Sequence, residues 1–102
     1  FITKMISGSS PTIYGDGSQS RDFTFIDNVI EMNIAAANAP LMGGHIFNCG
    51  CGQSISVLDL QESINQILGT SITPIFEAAR AGDVQHSLAG LEHAKSILGR
   101  FI

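Results

Sequence analysis

The residues from Ser56 to Gly69 constrain the fold most, because they mark both ends of one helix. Ser56 with Asp59 nearly matches a capping box, in which side chains satisfy the free backbone N–H groups of the first turn. An apolar stripe follows at helical spacing and ends at Gly69, a residue suited to a helix C-terminus. The stripe consists of Val57, Leu60, Ile64, Ile67 and Leu68. The segment is therefore predicted to be an amphipathic helix.

Helical and extended patterns alternate along the rest of the chain. Phe1 to Ile6 are predicted to be the last turns of a helix that begins before residue 1 and stops at Gly8, and further helices are predicted from Asp27 to before Pro40 and over 91–98. Strands are predicted over 11–14, 21–26, 45–48 and 72–77, where β-branched and aromatic residues cluster. Such alternation predicts an α/β (α+β) fold class, a small mixed domain of short strands and about four helices spanning residues 1–102.

Three local features refine this outline. Residues 15–18 (Gly-Asp-Gly-Ser) are predicted to form a tight turn, because Asp-Gly favours the positive φ angles that such turns require. Asp27 is expected to cap the second helix with its carboxylate. Gly90 is expected to act as a tolerable cap for the last helix.

The composition narrows the possible partners of the chain. Of 102 residues, 44% are hydrophobic and 14% charged, and the net charge is −4. An acidic chain without a basic stripe does not suit nucleic acid, so no nucleic-acid partner is expected. No apolar run approaches the roughly 20 residues that span a bilayer, and no signal peptide is recognisable. We therefore expect no membrane partner, a cytoplasmic location, and an internal position for Phe1 in a longer protein.

The two cysteines, Cys49 and Cys51, are separated by one residue rather than the two that zinc and redox motifs normally have. The three histidines are scattered without ligand spacing. We therefore predict reduced cysteines in a turn and no metal site.

Familiar catalytic motifs are missing from this sequence. It has no glycine-rich dinucleotide fingerprint, no phosphate-binding loop with Gly-Lys-Ser/Thr, and no Ser/His/Asp arrangement. We therefore assign no catalytic and no cofactor-binding residue to the chain.

Two of the five cations, Arg21 and Arg80, lie beside turn-forming residues at loop–strand junctions. The planar guanidinium suits bidentate binding of phosphate oxygens, and a loop position lets it reach a ligand. The alternative interpretation is that each arginine pairs with a nearby acid, Asp22 or Asp83, in a surface salt bridge.

Several ordered motifs resemble the NAD-dependent epimerase/dehydratase family, the extended short-chain dehydrogenases. Residues 11–17 (Pro-Thr-Ile-Tyr-Gly-Asp-Gly) and 21–29 (Arg-Asp-Phe-Thr-Phe-Ile-Asp-Asn-Val) are similar to its substrate-domain signature. The likeness continues, in order and spacing, through 47–50, 56–60, 80–84 and 97–99, and thus covers essentially the whole chain. Within this family, the residues of these motifs are most similar to those of UDP-hexose 4-epimerases. Related dehydratases often have Trp at the position of Phe23.

The resemblance implies a role for five residues. The strand containing Thr12 and Tyr14 would offer backbone groups and an aromatic ring to the uracil, Arg21 and Arg80 would bind the diphosphate, and Asp83 would accept from ribose hydroxyls. A core position remains the alternative for Tyr14, since strand aromatics are usually packing residues.

The resemblance also implies a division of labour. This chain would be the nucleotide-sugar-binding C-terminal domain, holding a UDP-sugar such as UDP-glucose or UDP-N-acetylglucosamine. NAD and the catalytic tyrosine and lysine would belong to an N-terminal Rossmann domain, with the parent protein a homodimer and this chain alone inactive. The alternatives are a nucleotide-sugar 4,6-dehydratase or decarboxylase, or a stand-alone binding or assembly module.

Overall fold

Four helices and four short strands make up the described part of the chain, residues 1–40 and 43–99 of a computed structural model. The helices are α1 (Ile2–Ile6), α2 (Ile26–Asn38), α3 (Val57–Leu68) and α4 (Glu92–Leu98). The strands are β1 (Thr12–Tyr14), β2 (Ser20–Arg21), β3 (Ile55–Ser56) and β4 (Ile75–Glu77). This mixed arrangement confirms the predicted fold class.

The elements divide into two units. The first consists of Phe1–Arg21 and Ile55–His86, and contains α1, α3 and all four strands. The second consists of the described residues within 22–54 and 87–99, and contains α2 and α4. Within these ranges no helix is long and apolar enough to cross a membrane.

Helix α3 has both predicted ends. The Ser56 hydroxyl accepts a hydrogen bond from the backbone N–H of Asp59 at 3.0 Å, which satisfies one free donor of the first turn. At the other end Gly69 adopts a left-handed conformation with φ of 67°, which a residue without a Cβ adopts at little cost. Ile64 is buried on the inner face of this helix.

Asn65 controls how the chain leaves α3. Its side-chain amide donates to the carbonyl of Ile72 at 2.8 Å, and its oxygen accepts from the Ile72 N–H at 3.0 Å. Gln61 donates to the same carbonyl at 2.6 Å, and the Thr70 hydroxyl donates to Asn65 at 2.8 Å. The buried amide thus pairs with Ile72 as a neighbouring strand would, and directs the chain towards β4.

Two small ladders organise the first unit. Strand β1 runs parallel to β4, with Ile13 opposite Phe76 and Tyr14 opposite Glu77, and β2 runs antiparallel to β3. Alternation along β1 places Ile13 in the core, where only 1% of its surface is exposed, and leaves Tyr14 outside it. Met5 of α1 is equally buried, and α1 contacts α3.

The second unit buries Met32 of α2 together with Leu91 and Ala94 at the start of α4. Helix α2 is less completely covered, because Ile26, Ile30 and Ile34 are exposed. These residues are four apart and so lie along one side of the helix.

Three strand predictions are wrong in whole or part. The predicted strand 21–26 shortens to β2, because the Asp22 carboxylate bonds to backbone amides of the 51–52 loop and α2 begins already at Ile26. The strand 45–48 is absent from the described structure, where Ile46 is 92% exposed and no strand pairs with this segment. The strand 72–77 begins only at Ile75, because Ile72 is bonded to Asn65.

Three capping and turn predictions also need correction. Asp27 is not the cap of α2; the cap position is Phe25, and Asp27 lies in the first turn, where its charge suits the helix dipole. Leu91, not Gly90, occupies the cap of α4. In the 15–18 turn the positive φ angles belong to Gly15 and Gly17, whereas Asp16 accepts from the N–H and hydroxyl of Ser18.

Candidate functional site

A cleft of about 310 Å³ opens on the first unit, with walls formed by the end of β1 and by the loop after β4. Its volume is near the lower end of the range for small-molecule pockets. Three of the predicted binding residues, Tyr14, Arg80 and Asp83, line it. The structure therefore brings together side chains that are almost 70 positions apart in the sequence.

Arg21 reaches this group through Asp83. Its guanidinium donates to the Asp83 carboxylate at 3.0 Å and to the Ser20 carbonyl at 2.7 Å. A longer bond, of 3.4 Å, joins it to the carbonyl of Gln85. A guanidinium has five N–H donors, and these three bonds, which use three of them, orient Arg21.

Arg80 has a different partner. Its guanidinium carbon lies 3.8 Å from the centroid of the Tyr14 ring, a cation–π contact. Tyr14 is 37% exposed, so the core interpretation of this residue is wrong. Both residues line the cleft, and the stack places a positive charge beside an aromatic face.

The alternative interpretation, in which each arginine forms a salt bridge with a nearby acid, holds within the described residues for Arg21 and not for Arg80. Arg21 does form a salt bridge, with Asp83 rather than with its neighbour Asp22. Among residues 1–40 and 43–99 no salt bridge joins Arg80 to Asp83. The carboxylate of Asp83 accepts through Oδ1, and a carboxylate has about four lone-pair positions, so acceptor capacity remains for a ligand hydroxyl.

Thr12 is not among the residues that line the cleft. It lies two positions before Tyr14 on β1, opposite Ile75 of β4, and is half-buried.

Backbone and side-chain bonds hold the two walls of the cleft together. The N–H of Gly15 donates to the Glu77 carbonyl at 2.9 Å, which extends the β1–β4 ladder to the edge of the cleft. The Gln85 side chain donates to the Ser18 hydroxyl at 2.9 Å. The same hydroxyl donates to Asp16 at 2.6 Å.

Sequence reasoning missed Asp16, Gln19 and Gln85, which also line the cleft. The hydrogen bonds from the side chain and backbone of Ser18 lower the pKa of Asp16, so this carboxyl stays ionised at the cleft edge. The Asp-x-Ser spacing is a recognisable signal for such a turn, whereas nothing in the sequence distinguishes Gln85.

Asp22 serves the second unit as a structural anchor. Its two oxygens accept from the backbone N–H groups of Cys51 at 3.0 Å and Gly52 at 2.9 Å, with a longer bond of 3.4 Å from Ala89. Burial raises the pKa of this carboxyl. Hydrogen bonds from Gly52, Cys51 and Ala89 lower the pKa by more, and the net value is below the usual one.

Both cysteines in this region, Cys49 and Cys51, are free. Burial raises the pKa of the Cys49 thiol, and the neighbouring Cys51 and Asp22 raise it further, which disfavours the reactive thiolate. Among the described residues no group of three His, Cys, Asp or Glu side chains is arranged to hold a metal ion.

Comparison with known proteins identifies the family of this chain. The model of the NAD dependent epimerase/dehydratase family matches residues 1–50, which include β1, β2 and α2. A UDP-glucose 4-epimerase from Mycolicibacterium smegmatis is 33% identical over 99 residues, which is 97% of this chain. The chain belongs to the NAD-dependent epimerase/dehydratase family. It spans 31% of the length of that relative.

Solved structures of family members share the fold. A UDP-N-acetylglucosamine 4-epimerase from Methanobrevibacter ruminantium M1, in complex with UDP-N-acetylmuramic acid, superposes with a TM-score of 0.88 at 33% identity. It covers 97% of this chain, which corresponds to 31% of its own. A UDP-glucuronic acid 4-epimerase from Bacillus cereus, in complex with UDP-glucuronic acid and NAD, gives 0.89 at 32% identity, over 96% of this chain and 32% of its own.

The relatives are nucleotide-sugar enzymes of more than one reaction type. They include epimerases, decarboxylases and a dehydratase. NAD is the cofactor of this family, and it is present in the Bacillus cereus complex.

Proposed function

We propose that this chain binds the UDP part of a nucleotide sugar, with the cleft beside Tyr14 as the binding site. The observation that carries the proposal is that Arg80 and Asp83 line one cleft of the first unit, and that Arg21, which does not line the cleft, is bonded to Asp83. Two forked cations suit a diphosphate, and a carboxylate suits the hydroxyl donors of a ribose. The UDP-sugar complexes of the solved relatives support the same ligand class.

The two arginines have distinct tasks in this proposal. Arg21 is held by three acceptors and offers a preorganised pair of donors to the diphosphate. Arg80 lies in an exposed loop and moves to the diphosphate from the other wall of the cleft. Asp83 accepts from the ribose, Tyr14 packs near the uracil, and Thr12 contributes only through the backbone of β1.

The chemistry belongs to a longer NAD-dependent enzyme in this proposal, most simply a UDP-hexose 4-epimerase. The chain spans about a third of the relatives' length, and the exposed isoleucines of α2 give it an apolar surface on which further chain can pack. An N-terminal Rossmann domain carries NAD and the catalytic residues. This chain binds the UDP part of the substrate and thereby holds the sugar against the cofactor.

A 4,6-dehydratase or decarboxylase is the second candidate. It is supported by relatives such as a UDP-N-acetyl-alpha-D-glucosaminuronate decarboxylase from Bacillus cytotoxicus, 32% identical over 71 residues. Assays of the full-length protein with UDP-glucose and with UDP-glucuronic acid separate the candidates. From UDP-glucose an epimerase forms UDP-galactose and a dehydratase forms a 4-keto-6-deoxy sugar, whereas a decarboxylase releases carbon dioxide from UDP-glucuronic acid. The 102-residue chain should do neither, and turnover by this chain alone would contradict the division of labour.

Calorimetric titration of UDP into the chain tests the site itself. Arg21→Ala and Arg80→Ala should each weaken binding by about tenfold to a hundredfold, since a hydrogen bond to a charged group contributes about 1.5–3 kcal/mol. Lys4→Ala removes an exposed cation on α1 and is the matched control, with affinity unchanged. Equal UDP affinity in all three variants would leave the arginines as structural residues and refute the proposed site.

A further inference from the structure

We propose that Arg80 exchanges its partner when a nucleotide binds, leaving the face of Tyr14 for the diphosphate so that the base stacks on the uncovered ring. The inference rests on the proposed function and adds to it a coupling between the two halves of the ligand. Arg80 would therefore determine the preference of the site for a nucleoside diphosphate over a nucleoside alone or a diphosphate alone.

The geometry of the stack is the first support. At 3.8 Å from the ring centroid, the guanidinium of Arg80 is in van der Waals contact with Tyr14. A planar group cannot lie on a ring face that another planar group already covers. A base that uses this face must therefore displace Arg80.

The contrast with Arg21 is the second support. The Arg21 side chain is fixed by one carboxylate and two carbonyl acceptors, whereas the contact found for the Arg80 side chain within the described part of the chain is the stack on Tyr14. Arg80 is exposed, and a cation–π contact at an exposed site is weak. A diphosphate offers the guanidinium charge-assisted, bidentate hydrogen bonds, which are much stronger. The exchange is therefore downhill when a diphosphate is present.

Coupling between base and diphosphate follows from this exchange. A nucleoside alone must compete with Arg80 for the ring of Tyr14. A diphosphate removes Arg80 from the ring first, and the base then meets an uncovered aromatic face. By linkage the base must strengthen diphosphate binding by the same factor.

The composition of the chain supplies a direct reporter. Tyr14 is its single tyrosine, and it has no tryptophan, so the tyrosine fluorescence of the chain comes from this ring alone. Uridine and inorganic pyrophosphate are the two probes, because together they carry the base, ribose and diphosphate features of the proposed ligand.

The experiment titrates uridine into the chain with and without saturating pyrophosphate, read by Tyr14 fluorescence and by calorimetry. Pyrophosphate should raise uridine affinity by about twofold to fivefold, which corresponds to the strength of an exposed cation–π contact. Arg80→Ala should bind uridine more tightly than the wild type in the absence of pyrophosphate, and should lose the dependence on pyrophosphate. Lys4→Ala should retain the wild-type dependence.

Two further variants separate stacking from folding. Tyr14→Phe keeps the ring and should keep the coupling, read by calorimetry alone. Tyr14→Leu removes the ring and should lose both uridine affinity and coupling, while circular dichroism reports that the fold is intact.

The outcomes distinguish this inference from the function on which it rests. If UDP binds and requires both arginines, but pyrophosphate leaves uridine affinity unchanged, the base uses another surface and the exchange is refuted while the binding site stands. Unchanged uridine affinity in Arg80→Ala would refute it equally. If the wild type binds none of the three ligands, the proposed function and the exchange both fail.

Discussion

The Asp83 carboxylate accepts a hydrogen bond from Arg21 at 3.0 Å, although 62 positions separate the two residues in the chain. The contact connects β2 with the loop after β4, and both partners are proposed ligand groups. A substitution at either residue therefore acts on the other as well. Binding measurements on single variants alone would overstate the role of each.

A double-mutant cycle should resolve this pair. The side chains are 30% and 42% exposed, so the coupling energy between Arg21→Ala and Asp83→Ala should be small, about 0.2–1 kcal/mol in the free energy of unfolding. Urea denaturation of the two single variants and the double variant measures it. The coupling should fall at high salt, and a salt-independent coupling above this range would mean that the pair is less screened than its exposure indicates.

Asn65→Ala should be among the more costly substitutions in the first unit. It removes the hydrogen bonds with Ile72 and Thr70, and takes from the N–H of half-buried Ile72 its acceptor, whereas the Ile72 carbonyl keeps the bond from Gln61. We expect a loss of about 2–4 kcal/mol in the free energy of unfolding. Gln66→Ala, at the exposed neighbouring position of the same helix, is the control and should change it by less than about 0.5 kcal/mol. Similar losses in both variants would contradict the role of Asn65.

Gly17→Ala should destabilise the chain more than Gly69→Ala. Both glycines have positive φ, of 83° and 67°, so each alanine suffers a backbone cost of about 1–2 kcal/mol. A Cβ at Gly17 would also come within 2.5 Å of Leu58 Cγ, whereas at Gly69 nothing lies within 4 Å. The backbone bond from Leu58 to Gly17 limits any adjustment. Denaturation of Gly17→Ala with and without Leu58→Ala should show partial rescue, and its absence would mean that strain alone is responsible.

Asp22→Asn should change the pH dependence of stability. Because the folded pKa of Asp22 is below its usual value, its contribution is complete above the unfolded pKa of about 3.9 and is lost as pH falls through the folded value. The wild type should therefore lose stability in this acid window more steeply than the variant. Parallel pH profiles for wild type and Asp22→Asn would contradict the anchor.

Features encoded by nearby residues are predictable from the sequence. Both ends of α3 follow from Ser56, Asp59 and Gly69, because caps involve residues within one turn of each other. The strand β1 follows from the β-branched and aromatic pattern of 12–14. Features that depend on distant partners are not predictable in this way. The segment 45–48 has a strand pattern, but a strand also requires a hydrogen-bonded neighbour, and the described residues supply none.

The same distinction applies to the site. The placement of Arg21 and Arg80 beside turns points to phosphate binding from the sequence alone, yet their spacing equally suggests salt bridges with sequence neighbours. The contact of Arg80 with Tyr14 depends on how β1 and β4 align, and the contact of Arg21 with Asp83 depends on the bridge between Ser20 and His86. Local patterns contain neither alignment. Gln85 lines the cleft for the same reason.

The Asp22 anchor also makes the second unit a host for a carboxylate. The backbone amides of Cys51, Gly52 and Ala89 all donate to one carboxylate, which the side chain of Asp22 connects to the same chain. Cutting the tether by Asp22→Ala leaves a vacant receptor for a small anion of the same shape. Acetate or formate added from solution should then restore part of the lost stability of this variant, and chloride at equal ionic strength should restore less.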